Sequence, residues 1–151
     1  MITNIVTSGV IATYVGDLIT DADIVVLAIP LRRFTDLPLA LLADRIVIDV
    51  MNYWPPVDDL LPEFQHSHRP TSVLVRDALP PTARLVKTFN HLGYHQIEGL
   101  ARPAGAPDRA ALAICGDDPA TVAAVANFVD RLRFNPVPAG RLADSAALQH
   151  E

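Results

Sequence analysis

The chain has 151 residues, enough for one domain with a real buried core. Half of the residues are hydrophobic and 19% are charged, which excludes an intrinsically disordered chain. A net charge of −5 with no basic patch argues against nucleic acid as the main partner, since phosphate recognition needs a basic face.

The single cysteine, Cys115, excludes an internal disulfide framework and fits a reducing compartment. The first residues lack a basic segment followed by an apolar one, so no signal peptide is expected. The longest apolar run, Ile24 to Leu31, is far too short to span a bilayer. A cytoplasmic protein with small-molecule partners, and neither membrane nor nucleic acid, is the expectation.

In chain order, the first clear strand is Ile24–Ile29 (IVVLAI), continuously apolar and closed by Pro30, which cannot donate to a ladder. A helix is expected over Arg33–Ala43, shortened or broken by Pro38. A second strand spans Arg45–Val50 (RIVIDV). The segment Asn52–Pro70 holds Pro55, Pro56, Pro62 and Pro70 and is expected to be largely irregular, a length of loop that is usually functional. Thr71–Leu79 reads as a helix stopped by Pro80 and Pro81.

A third strand is expected at Arg84–Phe89 (RLVKTF) and a fourth at Ala110–Cys115 (AALAIC). Asp118-Pro119 opens the strongest helix, an N-cap followed by proline at the first helical position. Its apolar face runs through Val122, Val125, Ala126, Val129 and Leu132, and it fades near Arg133. Asn135–Val137 reads as a last short strand and Arg141–Gln149 as a terminal helix. Alternating strands and helices imply an α/β, doubly wound parallel sheet, with ligands beyond the carboxyl ends of the strands. Those ends are Ala28-Ile29-Pro30, Asp49–Trp54 and Asn90–His95.

Several stretches around these ends carry a family resemblance: ADIVVLAIP (Ala22–Pro30), VIDVMNYWP (Val47–Pro55), LVKTFNHLGYHQI (Leu85–Ile97), ARPAGAPDRAALAICGDDPATVAAV (Ala101–Val125) and RFNPVPAGRL (Arg133–Leu142). In this combination the chain resembles the NADP-dependent oxidoreductases related to coenzyme F420-dependent NADP reductase. The resemblance implies a Rossmann-like NAD(P)-binding domain, NADP as cofactor, coenzyme F420 or a flavin as second carrier, and a homodimer built on C-terminal helices. It also implies a strand, a G-x-G-x-x-G loop, a helix and a second strand ahead of the part matched here. No G-x-G occurs in the 151 residues, and Val10–Thr13 resembles the end of the family's third strand. The expectation is a single, N-terminally truncated Rossmann domain over residues 1–151, with impaired hydride transfer. The alternative is a non-catalytic Rossmann remnant or partner-binding module.

By the same resemblance, Ala28, Ile29 and Pro30 carry the backbone along the ribose and nicotinamide, where small residues let a flat ring approach. Asn52 is placed to hydrogen-bond a carboxamide or ribose, and Tyr53 and Trp54 to stack on a flavin-like ring. Asn90 and His91 are the candidate catalytic residues beside the hydride partner; histidine as a residue type suits proton transfer. Each also has a plainer role: core packing and a strand stop for Ala28 and Pro30, a turn for Asn52, a core cap for the aromatics, and loop hydrogen bonds for Asn90 and His91.

The only lysine, Lys87, lies in a strand that otherwise reads as buried, so it is expected to snorkel to an edge or pair with an acid. Asp49 reads as a turn acceptor. No metal site is expected: His91-x-x-x-His95 is interrupted by Gly93, and His66-x-His68 supplies too few ligands for zinc. Cys115, inside an apolar strand, reads as a small hydrophobe.

Overall fold

The computed structural model describes residues 13–65 and 67–149. Five strands form one sheet in chain order: β1 (Ile24–Leu27), β2 (Ile46–Asp49), β3 (Arg84–Lys87), β4 (Ala111–Gly116) and β5 (Asn135–Pro138). β1, β2 and β3 are parallel, with Ile24 beside Ile46 and Ile46 beside Arg84. β5 is parallel to β4, but β4 runs antiparallel to β3. The architecture is α/β and Rossmann-like, with a mostly parallel sheet that departs from the fully parallel expectation at one joint. There β4 overlaps β3 at only two residue pairs, Val86 with Gly116 and Lys87 with Cys115. Beyond them it runs on beside the loop that follows β3. Of the stretch Val10–Thr13, all but Thr13 lies outside the described residues.

Alternation along each strand divides the core into two layers. Val25, Leu27, Val47 and Leu85 point to one side, against Leu31, Phe34, Leu42, Val73, Val75 and Leu79. Ile48 and Val86 point to the other, against Val125 and Val129 of the helix Pro119–Arg131, with Phe134. This two-sided cover accounts for the apolar runs of β2 and β3. β1 departs from it: Val26 is 46% exposed although its neighbour across the ladder, Ile48, is fully buried. The helix Pro119–Arg131 packs over β3, β4 and β5 and leaves that side of β1 uncovered. Among the described residues, β1 pairs with β2 alone.

The expected helix at 33–43 is instead two short 3-10 turns, Leu31–Asp36 and Leu39–Leu42. Pro38 removes a donor and pushes Leu37 into extended backbone, and both segments still bury Phe34 and Leu42. The proline-rich stretch contains two single helical turns, Pro55–Asp58 and Pro62–Gln65, each begun by a proline. Thr71–Ala78 is helical, as expected, and the terminal helix is a 3-10 helix, Leu142–Leu148. Two helices carry no sequence expectation: Val15–Asp21 and Tyr94–Leu100. The second begins at Gly93, whose N–H donates to the Gln96 side chain at 2.9 Å.

Asp118 caps the long helix, accepting from the N–H groups of Ala120 at 3.3 Å and Thr121 at 3.0 Å. Just before it, Gly116 ends β4 where the strand presses on the helix. A Cβ there would lie 2.8 Å from Val122 Cγ2 and 3.2 Å from Val86 Cγ2. Gly116→Ala is therefore expected to destabilise the fold by about 1–3 kcal/mol through overpacking. Denaturant unfolding measures this, and an unchanged midpoint would contradict the close packing of β4 on the helix.

Candidate functional site

The parallel strands β1, β2 and β3 end side by side, at Leu27, Asp49 and Lys87. The chain beyond each strand, at 28–30, 50–54 and 88–91, forms the rim of a crevice at this carboxyl edge. Asn52 and Asn90 tie two of these loops together. Asn52 donates its Nδ2 to the carbonyl of Asn90 at 2.8 Å, and Asn90 returns its Nδ2 to Asn52 Oδ1 at 3.0 Å. Asn90 Nδ2 also donates to the carbonyl of Leu148, so the terminal 3-10 helix closes over the same point. With two acceptors facing Nδ2, the orientation of the Asn90 amide is fixed, because a flipped amide would set oxygen against oxygen.

Two cavities open on either side of Asn52, which lines both. The larger, of about 730 Å³, is walled by Tyr53, Trp54 and Phe64 and carries Arg69, Thr71 and Gln149. Tyr53 stacks on Phe64 with ring centroids 5.9 Å apart, while its hydroxyl donates to the Asp59 carbonyl and accepts from the Leu61 N–H, both at 3.1 Å. Trp54 stands 60% exposed at the rim. The smaller cavity, of about 380 Å³, is nearly apolar: Val26, Ala28, Val50, Phe89 and Leu132 surround the two asparagines.

The structure brings Ala28, Asn52, Tyr53, Trp54 and Asn90 to these cavities. Ile29 packs instead on the core layer of Val25 and Leu27, and neither it nor Pro30 lines a cavity. His91 also lies outside both. Its Nε2 accepts from the N–H of Ala113 at 3.4 Å, holding the ring against β4. Between Asn90 and the strand sits Phe89, with φ +64°, a left-handed backbone unusual for a bulky side chain. That turn sends the Phe89 ring edge-on to Phe128, with centroids 6.5 Å apart, and aims Asn90 back across the crevice.

Beneath the rim lies a buried polar cluster. Asp49 accepts from the Met51 N–H through Oδ1 and from the Ser72 hydroxyl through Oδ2, both at 2.9 Å. Lys87 Nζ lies 3.3 Å from Asp49 Oδ2 and donates to the Met51 carbonyl. Both side chains are almost wholly excluded from solvent. Of the two expectations for Lys87, pairing with an acid is found and escape to a sheet edge is not, since the side chain is fully buried; the turn role of Asp49 is found with the pairing. Burial lowers the Lys87 ammonium from the ordinary lysine value, opposed by the Asp49 carboxylate.

A second buried acid, Asp58, has no sequence expectation. It accepts from the Arg32 N–H at 3.0 Å and the Trp54 N–H at 2.8 Å, fastening the aromatic loop to the chain after β1. Its one sequence signal is its place four residues after Trp54, just past the Pro55-Pro56 pair that starts a helical turn. Burial raises the Cys115 thiol from its ordinary value, the opposite of what a nucleophile requires. Among the described residues, no three His, Cys, Asp or Glu side chains come together to hold a metal. Nor, among them, is any helix long and apolar enough to cross a membrane.

Asn90→Asp would set a buried carboxylate against two carbonyl-type acceptors. It is expected to cost about 2–3 kcal/mol at neutral pH. Burial raises the carboxyl pKa in the folded state above the unfolded value, so the folded state binds the extra proton. The defect should therefore be small in acid and grow as pH rises through the carboxylate range. Unfolding of wild type and variant at several pH values measures this, and a pH-independent difference would contradict the geometry.

With this geometry in view, similarity to known proteins is specific in one segment. Residues 3–53 match the family described as NADP oxidoreductase, coenzyme F420-dependent, a segment that contains Ala28, Ile29, Pro30, Asn52 and Tyr53. No curated protein sequence matches the chain. Among solved structures, the hypothetical protein SMa0349 from Sinorhizobium meliloti aligns with a TM-score of 0.65 at 26% identity, over 83% of this chain and 60% of its own. A putative F420-dependent NADP-reductase from Arthrobacter sp. FB24 aligns with a TM-score of 0.63 at 23% identity, over 87% of this chain and 60% of its own. The chain thus spans 60% of the length of each of these structures. Over residues 3–53 the chain is thus similar to the coenzyme F420-dependent NADP oxidoreductases, and the wider likeness to these structures is one of fold.

Proposed function

We propose that the protein is an oxidoreductase of the F420-dependent NADP reductase type, passing hydride between NADP(H) and a deazaflavin or flavin-like acceptor. The observation that carries this reading is Asn52, which stands between an apolar cavity and an aromatic one and is hydrogen-bonded to Asn90 across the crevice. The residues fit two flat rings. Exposed Ala28 presents little more than backbone to the smaller cavity, as close approach of a nicotinamide requires. Tyr53 and Trp54 offer aromatic faces to a second ring in the larger one.

When bound, the two carriers would supply the redox chemistry, the exchange of a hydride between them. The protein contributes position and exclusion of water. Asn52 and Asn90 would hold the edges of the rings by hydrogen bonds, Phe89 would wall off solvent, and His91 orders the loop through β4. Tethering to β4 suits His91 to holding Asn90 in place more than to moving a proton.

A second reading, a non-catalytic module that binds another polypeptide, is favoured by one observation. Val26 and Leu132, 46% and 41% exposed, leave an apolar face beside the smaller cavity.

Titration of the folded protein with NADPH, followed by nicotinamide fluorescence, separates the two readings. Saturable binding below about 1 mM, weakened roughly tenfold by Asn52→Ala, is expected for the oxidoreductase. Oxidation of the bound NADPH on adding coenzyme F420 or a flavin completes the assignment. A folded protein that shows no saturation in this range leaves the non-catalytic reading.

A further inference from the structure

Lys87 stands at a position where an apolar side chain is the ordinary choice. It lies within a parallel strand, is fully buried, and is flanked by Val86 in the core. A buried ion pair adds little to stability compared with well-packed apolar residues of the same volume, so stability alone does not account for it. What the ammonium does that an apolar side chain cannot is hold an acceptor. That acceptor is the carbonyl of Met51, part of the peptide unit that leads into Asn52.

Both peptide groups of Met51 are therefore held from below. Its N–H is bound by Asp49, and its carbonyl by Lys87, which is itself paired to Asp49 across the β2–β3 ladder. Ser72, from the helix Thr71–Ala78, holds the far oxygen of the same carboxylate at 2.9 Å. Three elements thus converge on one turn, and the residue that leaves the turn is the one that lines both cavities. Asn52 has one other anchor, its mutual hydrogen bonds with Asn90.

We infer that Lys87 is a positioning residue: through the Met51 carbonyl, it sets the peptide plane that aims the Asn52 amide across the crevice at Asn90. The inference rests on the proposed function only for the use that a ligand makes of Asn52. The aim itself is a property of the protein alone, and is measured without a ligand.

The experiment is nuclear magnetic resonance of the ¹⁵N-labelled full chain, reading the side-chain NH₂ of Asn52. Lys87→Met removes the donor to Met51. The double variant Asp49→Asn/Lys87→Met also removes the buried charge that Lys87→Met alone strands, and serves if the single variant does not fold. In either variant the Asn52 NH₂ resonances are expected to shift and their hydrogen exchange to accelerate roughly tenfold. The backbone amides of Val125 and Val129, in the helix on the far layer, are expected to keep their protection.

A folded variant with an unchanged Asn52 side chain overturns the inference. So does one in which Asn52, Val125 and Val129 lose protection in step, since that marks general destabilisation. In the wild type, failure to detect Lys87 Nζ hydrogen-bonded to the Met51 carbonyl, by coupling across the bond, overturns it without any variant. NADPH titration of the wild type is independent of these readouts. Loosened Asn52 with no NADPH binding leaves the positioning role and removes the oxidoreductase, and the converse removes only the positioning role.

Discussion

The ammonium of Lys87 has no water to turn to, and the geometry of the crevice follows from how that is resolved. A charge taken into the interior must find acceptors, and the two it finds belong to Asp49 and to the turn just beyond it. Asp49 can serve because β2 and β3 are parallel and in register, which puts residue 49 directly beside residue 87. A shift of one residue along either strand would point one of the two side chains into the opposite layer. The apolar residues that fix the register, Val47 and Leu85 on one side and Ile48 and Val86 on the other, therefore also fix the polar cluster. Packing and site geometry are one constraint here.

Much of this was legible in the sequence. The strands β1 to β4 are marked by apolar runs, and the long helix by Asp118-Pro119, because those signals are local. For Lys87 the sequence left two outcomes, escape to a sheet edge or pairing with an acid, and the fold takes the second. What sequence reading misses is decided at a distance. The antiparallel β3–β4 joint depends on where the chain re-enters the sheet after residue 88. The two 3-10 turns at 31–42 hold the apolar spacing of a helix, but Pro38 breaks the ladder and the core accepts the result. Asp58 is signalled only by its place after Trp54 and the Pro55-Pro56 pair, because its donors, the backbone of Arg32 and Trp54, are supplied by loops that meet only in the fold.

The candidate site divides in the same way. The strand-end rule brings positions 28, 52, 53, 54 and 90 to the crevice, and these line the cavities. It says nothing about which way the next side chain turns. Ile29 and Pro30 follow Ala28 by one and two steps, yet the chain is already descending into the 3-10 turn at Leu31, which takes Ile29 against the core. His91 follows Asn90 by one step and faces β4, because the left-handed Phe89 has already reversed the chain.

Phe89 is the point at which these constraints meet. In an extended strand, Thr88 to His91 would continue the ladder with β4, and Asn90 would point along the sheet. A left-handed residue ends the ladder after Lys87 and turns Asn90 towards Asn52. Glycine would adopt that backbone without strain, but it would leave the ring position open beside Phe128 and the smaller cavity without its wall. The strain at residue 89 is held by what surrounds it: the ring contact with Phe128 on one side, and on the other the hydrogen bonds of Asn90 to Asn52 and Leu148. Asn90 is thus the lock on a turn as well as the floor of a cavity. Its side chain is committed to neighbours on both loops, and a ligand entering the crevice meets Asn52 and Asn90 as one rigid unit.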